Sequence, residues 1–189
     1  MEKVRDVLDS LNQPTREELK KALLDLELTL EDVEPLLKTA GGRPYYRKLL
    51  YHNEEVELLV MNWSQLECAP HDHGASQGWI QVLSGSSLNT VYRVDENGWP
   101  EELFEELHQD GKLFYAPRKG VHKMKAAGPE LVTLHLYSPP IRGMKVYDLA
   151  VCAACIVSDE CGAWWPEELA QEIRKIRLEK QKKQLPNVK

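Results

Sequence analysis

Apolar residues recur at helical spacing near the start of the chain and at strand spacing further on. Leu19, Leu23, Leu26 and Leu30 fall three or four residues apart, which places them on one helix face. Thr15 with Glu18, just after Pro14, forms a capping-box pattern that marks where that helix starts. Thr29 and Asp32 form a second cap before Val33, Leu36 and Leu37, with Pro35 in the first turn. Gly41-Gly42 closes the helical segment.

From Pro44 to about Asp148, short apolar runs alternate with turn residues. This rhythm predicts strands at 46–51, 56–63, 78–83, 88–94, 113–116, 121–126, 131–137 and 144–148. Asp95–Gly98 is a turn, and 100–109 is the connection with room for a helix. Such a pattern favours an all-β core with flanking helices, an antiparallel β-barrel or jelly roll. Pro166 followed by Leu169, Ile173 and Ile176 predicts a C-terminal helix, and Lys180–Lys189 reads as a frayed basic end. The expectation is one domain over 1–189, with a helical segment over 1–43, a β-barrel core over 44–148 and a C-terminal segment with its helix over 149–189.

Composition narrows the function classes. Thirty Asp and Glu outweigh 24 Lys and Arg, a net charge of −6, which argues against a nucleic-acid binder. No apolar run approaches the ~20 residues of a membrane span, and the first ten residues lack the apolar stretch of a secretory signal. A cytoplasmic protein with no membrane partner is expected. With no long heptad, a monomer is expected. Cys68, Cys152, Cys155 and Cys161 are too few for a disulfide scaffold of this size. Cys152 and Cys155 make a C-x-x-C pair, but their surroundings are small and apolar, so buried thiols are expected there. Trp164 and Trp165 are expected to pack the tail onto the barrel.

The candidate chemistry centres on histidine. In His71-Asp72-His73 the two imidazoles stand two residues apart, on one side of an extended chain. His122 follows a Pro117–Gly120 turn that delivers it to a strand start. Three neutral imidazoles with no obligatory carboxylate suit iron, zinc, copper or nickel. In Leu131–Tyr137 the period of two puts Val132, Leu134 and Leu136 on one face and Thr133, His135 and Tyr137 on the other. The polar trio can form a hydrogen-bonded relay. Arg47, just after Tyr45-Tyr46, can reach inward to bind a carboxylate.

His71-Asp72-His73, the distant His122 and the string Leu134-His135-Leu136-Tyr137-Ser138-Pro139-Pro140 together resemble cysteine dioxygenase, a thiol dioxygenase family within the cupin superfamily. Gly111, Pro117, Gly120 and His122 resemble a loosened second cupin motif, while Gln77-Gly78 stands where the first motif usually carries Glu. The resemblance covers roughly 45–148. It implies a cupin-type barrel in which His71, His73 and His122 bind one mononuclear Fe(II). Arg47, with Tyr45, would hold the substrate carboxylate. Tyr137 would stand beside the metal, with His135 and Thr133 behind it, Thr133 replacing a common Ser. The implied reaction adds both atoms of O2 to the sulfur of L-cysteine, giving cysteine sulfinate. Gly78 occupies the place of the cysteine that cross-links to tyrosine in animal members, and Met144 that of a second cysteine, so the chain resembles the bacterial form.

Three other readings fit the same residues. One is a dioxygenase for another small thiol such as 3-mercaptopropionate, although related enzymes tend to carry Gln where Arg47 stands. Another is a non-catalytic cupin that holds a metal or small ligand, and a third is a cupin hydrolase or isomerase using zinc or manganese.

Overall fold

A computed structural model describes residues 2–179. Two helices, α1 (Glu2–Leu8) and α2 (Arg16–Asp25), lead into a single turn, α3 (Leu30–Val33), and a 3-10 turn over Glu34–Leu36. The start of α2 is the expected capping box: the Thr15 hydroxyl accepts the Glu18 amide N–H, and the Glu18 carboxylate accepts the Thr15 amide N–H at 2.8 Å. At Thr29 the Asp32 carboxylate accepts from both the amide and the hydroxyl.

Among the described residues nine strands follow: β1 (Tyr45–His52), β2 (Glu57–Trp63), β3 (Gln77–Val94), β4 (Pro100–Gln109), β5 (Leu113–Ala116), β6 (Val121–Ser138), β7 (Lys145–Asp148), β8 (Ala153–Val157) and β9 (Glu172–Arg177). All pair antiparallel. The larger sheet runs β1-β2-β6-β3-β4, with β5 also on β3, and the smaller runs β7-β8-β9. Together they make the expected antiparallel β-barrel of jelly-roll form. Backbone bridges from His71 to His122 on β6 and to Val146 on β7 stitch the two sheets together. No helix among the described residues is long and apolar enough to cross a membrane.

Four expectations need correction. The predicted strands 78–83 and 88–94 are one 18-residue strand, as are 121–126 and 131–137. The Ser-Gly-rich stretch at 84–87 is a bent ladder with two register shifts, not a break. Gly85 (φ +82°) is required there, because a Cβ would lie 1.9 Å from the Glu130 carbonyl. The 100–109 connection is strand β4, held in register with β3 by the Asp95–Gly98 hairpin turn.

The expected C-terminal helix is absent among the described residues. Residues 169–171 form a 3-10 turn and Glu172–Arg177 form β9, paired to β8. The helical spacing of Leu169, Ile173 and Ile176 had no surface to bury against: Leu169 is 90% exposed and Ile173 62%. Backbone pairing to β8 satisfies this segment instead, and Ile176 packs beside Tyr92 and Trp99. The β region thus extends past 148. The basic end at Lys180–Lys189 lies outside the described residues.

The large sheet separates two cores. Val132, Leu134 and Leu136 of β6 join Leu58 and Val60 of β2 against Leu19, Leu23 and Leu26 of the α2 region. On the other side Leu59, Met61, Ile80, Met124 and Tyr137 fill the barrel. Trp164 and Trp165 pack onto that inner core, and Trp164 lies 5.3 Å from the Tyr45 ring, as expected. All four cysteines are free thiols; Cys68, Cys155 and Cys161 are buried and Cys152 is half-buried.

Candidate metal centre

The geometry begins with backbone hydrogen bonds. His71 and His122 exchange amide and carbonyl at 2.9 and 3.0 Å, which sets their side chains close together. Asp72, between the two histidines, turns its carboxylate to the Gly74 and Lys145 amides, both at 3.0 Å. It therefore braces the loop that carries His71 and His73, a role the sequence reading did not assign. On the other side Gly120 donates its amide to Pro117, closing the turn that delivers His122.

The three imidazoles converge. Their ring centroids lie 4.7 to 5.0 Å apart, and one ligand atom from each falls within 4.8 Å of the others. Burial lowers the basicity of all three, so each is held neutral. Their partners fix which nitrogen carries the proton. His71 donates Nδ1–H to the Ala69 carbonyl (2.9 Å), and His122 donates Nδ1–H to Asn89 Oδ1 (2.7 Å). Both Nε2 lone pairs are thereby left free. Asn89 was missed by the sequence reading, since nothing in its strand marks it as a partner.

Thr133, His135 and Tyr137 form a continuous hydrogen-bonded row that ends on His73. Trp63 Nε1–H, a donor only, bonds to Thr133 Oγ1 at 2.8 Å. Thr133 Oγ1 lies 2.7 Å from His135 Nε2, and His135 Nδ1 lies 3.1 Å from the Tyr137 hydroxyl. In the order that starts from the Thr133 hydroxyl donating to His135 Nε2, neutral His135 keeps its proton on Nδ1 and donates it to the Tyr137 oxygen. Tyr137 then donates to His73 Nε2 at 3.2 Å. Burial pushes His135 down to about 3 and Tyr137 well above its usual range, so both stay neutral. Trp63 anchors the chain, and it too was not singled out from the sequence.

His73 Nε2 and His122 Nε2 stand 3.4 Å apart. Three neutral imidazoles that converge in this way are a donor set for a borderline metal. The site therefore fits a mononuclear metal ion.

Arg47, on β1 across from Met61, lines the same cavity and donates Nη2–H to the Asp159 carbonyl at 2.7 Å. Tyr45 also lines it, but its hydroxyl accepts the Ala163 amide at 2.7 Å, and burial makes it a weaker acid than a free tyrosine. The inner cavity adjoins an outer one of about 230 Å³, just under the ~300 Å³ at which ligand pockets usually begin. Arg47, Leu59, Ile141 and Met144 line both. Gly78 pairs with Tyr137 across β3 and β6, and a Cβ there would lie 2.3 Å from the Tyr137 ring. Glycine is what lets this tyrosine occupy its place.

No family model matches the chain. A cysteine dioxygenase type 1 from Danio rerio is 22% identical, over 71% of this chain and 79% of that protein. Among solved structures, a conserved protein with a double-stranded beta-helix domain from Klebsiella pneumoniae has a TM-score of 0.48 at 19% identity, covering 61% of this chain and 94% of its own. An oxalate oxidase in complex with a substrate analogue has a TM-score of 0.47 at 14% identity, covering 61% of each chain.

Proposed function

We propose that this chain is an Fe(II)-dependent dioxygenase that converts L-cysteine and O2 to cysteine sulfinate. The observation that carries the reading is the buried hydrogen-bond chain from Trp63 through Thr133, His135 and Tyr137 to His73. A site that merely stores a metal has no use for an oriented hydroxyl at its edge. The likeness to a cysteine dioxygenase supports the same reading.

His71, His73 and His122 would hold the metal, and Fe(II) there would supply the redox chemistry of dioxygen. Arg47 binds the substrate carboxylate in bidentate fashion, which fixes the reach of the thiol toward the histidines. Tyr45 supports that clamp from the neighbouring strand position. A ligand that takes the His73 Nε2 lone pair displaces the Tyr137 proton, and that hydroxyl then turns to the substrate. His135 and Thr133 keep Tyr137 aimed, because each is hydrogen-bonded to the next. Leu59, Met61 and Ile141 exclude water from the reacting atoms.

The test is oxygen uptake by Fe(II)-loaded protein on adding L-cysteine, with cysteine sulfinate assayed in the same vessel. Uptake matched by sulfinate is expected. Uptake with 3-mercaptopropionate but none with cysteine would move the substrate. No uptake with any thiol would leave a metal-binding cupin or a different metal.

A further inference from the structure

Trp164 packs against the inner core, and nothing in the mechanism above uses it. It sits in the segment 158–165 that follows β8, and this segment meets the substrate clamp at three points. The Asp159 carbonyl accepts Arg47 Nη2–H at 2.7 Å. The Ala163 amide donates to the Tyr45 hydroxyl at 2.7 Å. The Trp164 ring lies 5.3 Å from the Tyr45 ring, which in turn lies 4.8 Å from that of Trp63. The same segment reaches the histidines through backbone alone, because the Ala163 carbonyl accepts the Ala69 amide at 2.8 Å.

Two features fix the Trp164 ring. Gly162 leaves room for it, since a Cβ there would lie 2.0 Å from the ring. The Arg43 guanidinium covers it at 5.0 Å from the ring centre. The Tyr45 hydroxyl is engaged only as an acceptor: no partner for its own proton is found among the described residues. Tyr45 is 5% exposed and lines the inner cavity. Burial makes the phenol a weak acid, so it keeps that proton. A buried hydroxyl proton without an acceptor costs free energy until a ligand supplies one.

We infer that Trp164 is a positioning residue for the substrate clamp. Its ring holds Tyr45 at the angle from which the phenol, already accepting from Ala163, gives its proton to the substrate carboxylate beside Arg47. This rests on the thiol dioxygenase reading and deepens it. Trp164 lines neither the inner nor the outer cavity, so it acts through Tyr45. The backbone contacts at 159 and 163 survive a side-chain change, and the Trp164 ring is the part that substitution can remove. Hydrogen bonds weaken steeply as they leave the line of donor and acceptor, so a tilted Tyr45 loses the carboxylate first. Arg47 still fixes the reach of the thiol, and the loss therefore falls on binding and not on the chemical step.

The experiment follows sulfinate formation and anaerobic calorimetric binding of L-cysteine in Fe(II)-loaded wild type, Trp164→Leu and Trp164→Phe, each also in a Tyr45→Phe background. Leucine keeps apolar bulk and removes the ring; phenylalanine restores a ring. In Trp164→Leu, KM and the calorimetric Kd should both rise about five-fold or more, while kcat changes by less than about two-fold. Trp164→Phe should recover most of the loss. Without a phenol proton to aim, Trp164→Leu in the Tyr45→Phe background should change Kd by less than about two-fold. Gly162→Ala, which pushes the ring without removing it, should raise KM in the same way and serves if Trp164→Leu does not fold. An additive cycle would overturn the assignment, as would a Trp164→Leu protein whose kcat and metal content fall with KM unmoved, because a packing role acts on both and needs no phenol. An active wild type with unaltered variants would overturn this inference alone. Wild-type protein that neither binds nor oxidises L-cysteine would overturn the parent reading with it.

Discussion

The two faces of one strand, β6, do opposite work. Val132, Leu134 and Leu136 are buried against the helices, where shape and apolar area decide everything. Thr133, His135 and Tyr137 are as deeply buried, yet each spends its polar atoms on a neighbour. A polar group can be buried at tolerable cost only when it is hydrogen-bonded. The aliphatic face tolerates change in proportion to the volume lost, whereas the polar face fails as a unit.

The largest effect should come from the polar side. His122→Ala removes one of three ligands, so metal content measured by elemental analysis should fall from about one ion per chain to near zero. On the opposite face, Leu134→Ala should cost about 2–5 kcal/mol in denaturant unfolding, through lost burial and a cavity. Its folded fraction should still bind one metal per chain, which separates the two faces cleanly.

Asn89→Ala sharpens the comparison from behind the site. It frees His122 Nδ1 without touching the lone pair, and metal affinity should drop about 10–100-fold in a competition titration. The same comparison can be made with pH, which acts on four imidazoles at once. His71, His73, His122 and His135 are neutral when folded and protonated below about 6.5 when unfolded. The unfolded chain therefore binds more protons, and metal-free protein should lose stability as pH falls. The slope approaches about 1.4 kcal/mol per unit for each imidazole, read by unfolding between pH 7 and 5. A flat profile there would mean that the polar face is open to water.

Much of this was legible along the chain because it is local. The capping box at Thr15 and Glu18, the turn before His122 and the period of two in 131–137 each depend on residues a few places apart. The errors have one origin. Leu169, Ile173 and Ile176 carry helical spacing, but periodicity cannot report whether a surface exists to receive it, and an available β8 edge won the segment. Residues 84–87 fall between two predicted strands, yet the glycine there serves a close approach to Glu130 within one strand.

The sequence by itself determined the ligand types, the strand rhythm of the barrel and the two-faced character of β6, since each follows from side-chain chemistry and short-range spacing. Tertiary structure decided the rest. Strand register set Trp63 beneath Thr133 and Asn89 behind His122, across gaps of 70 and 33 residues that no local pattern spans. Burial then removed water from the four imidazoles and fixed their protons, and that is a property of the enclosed barrel.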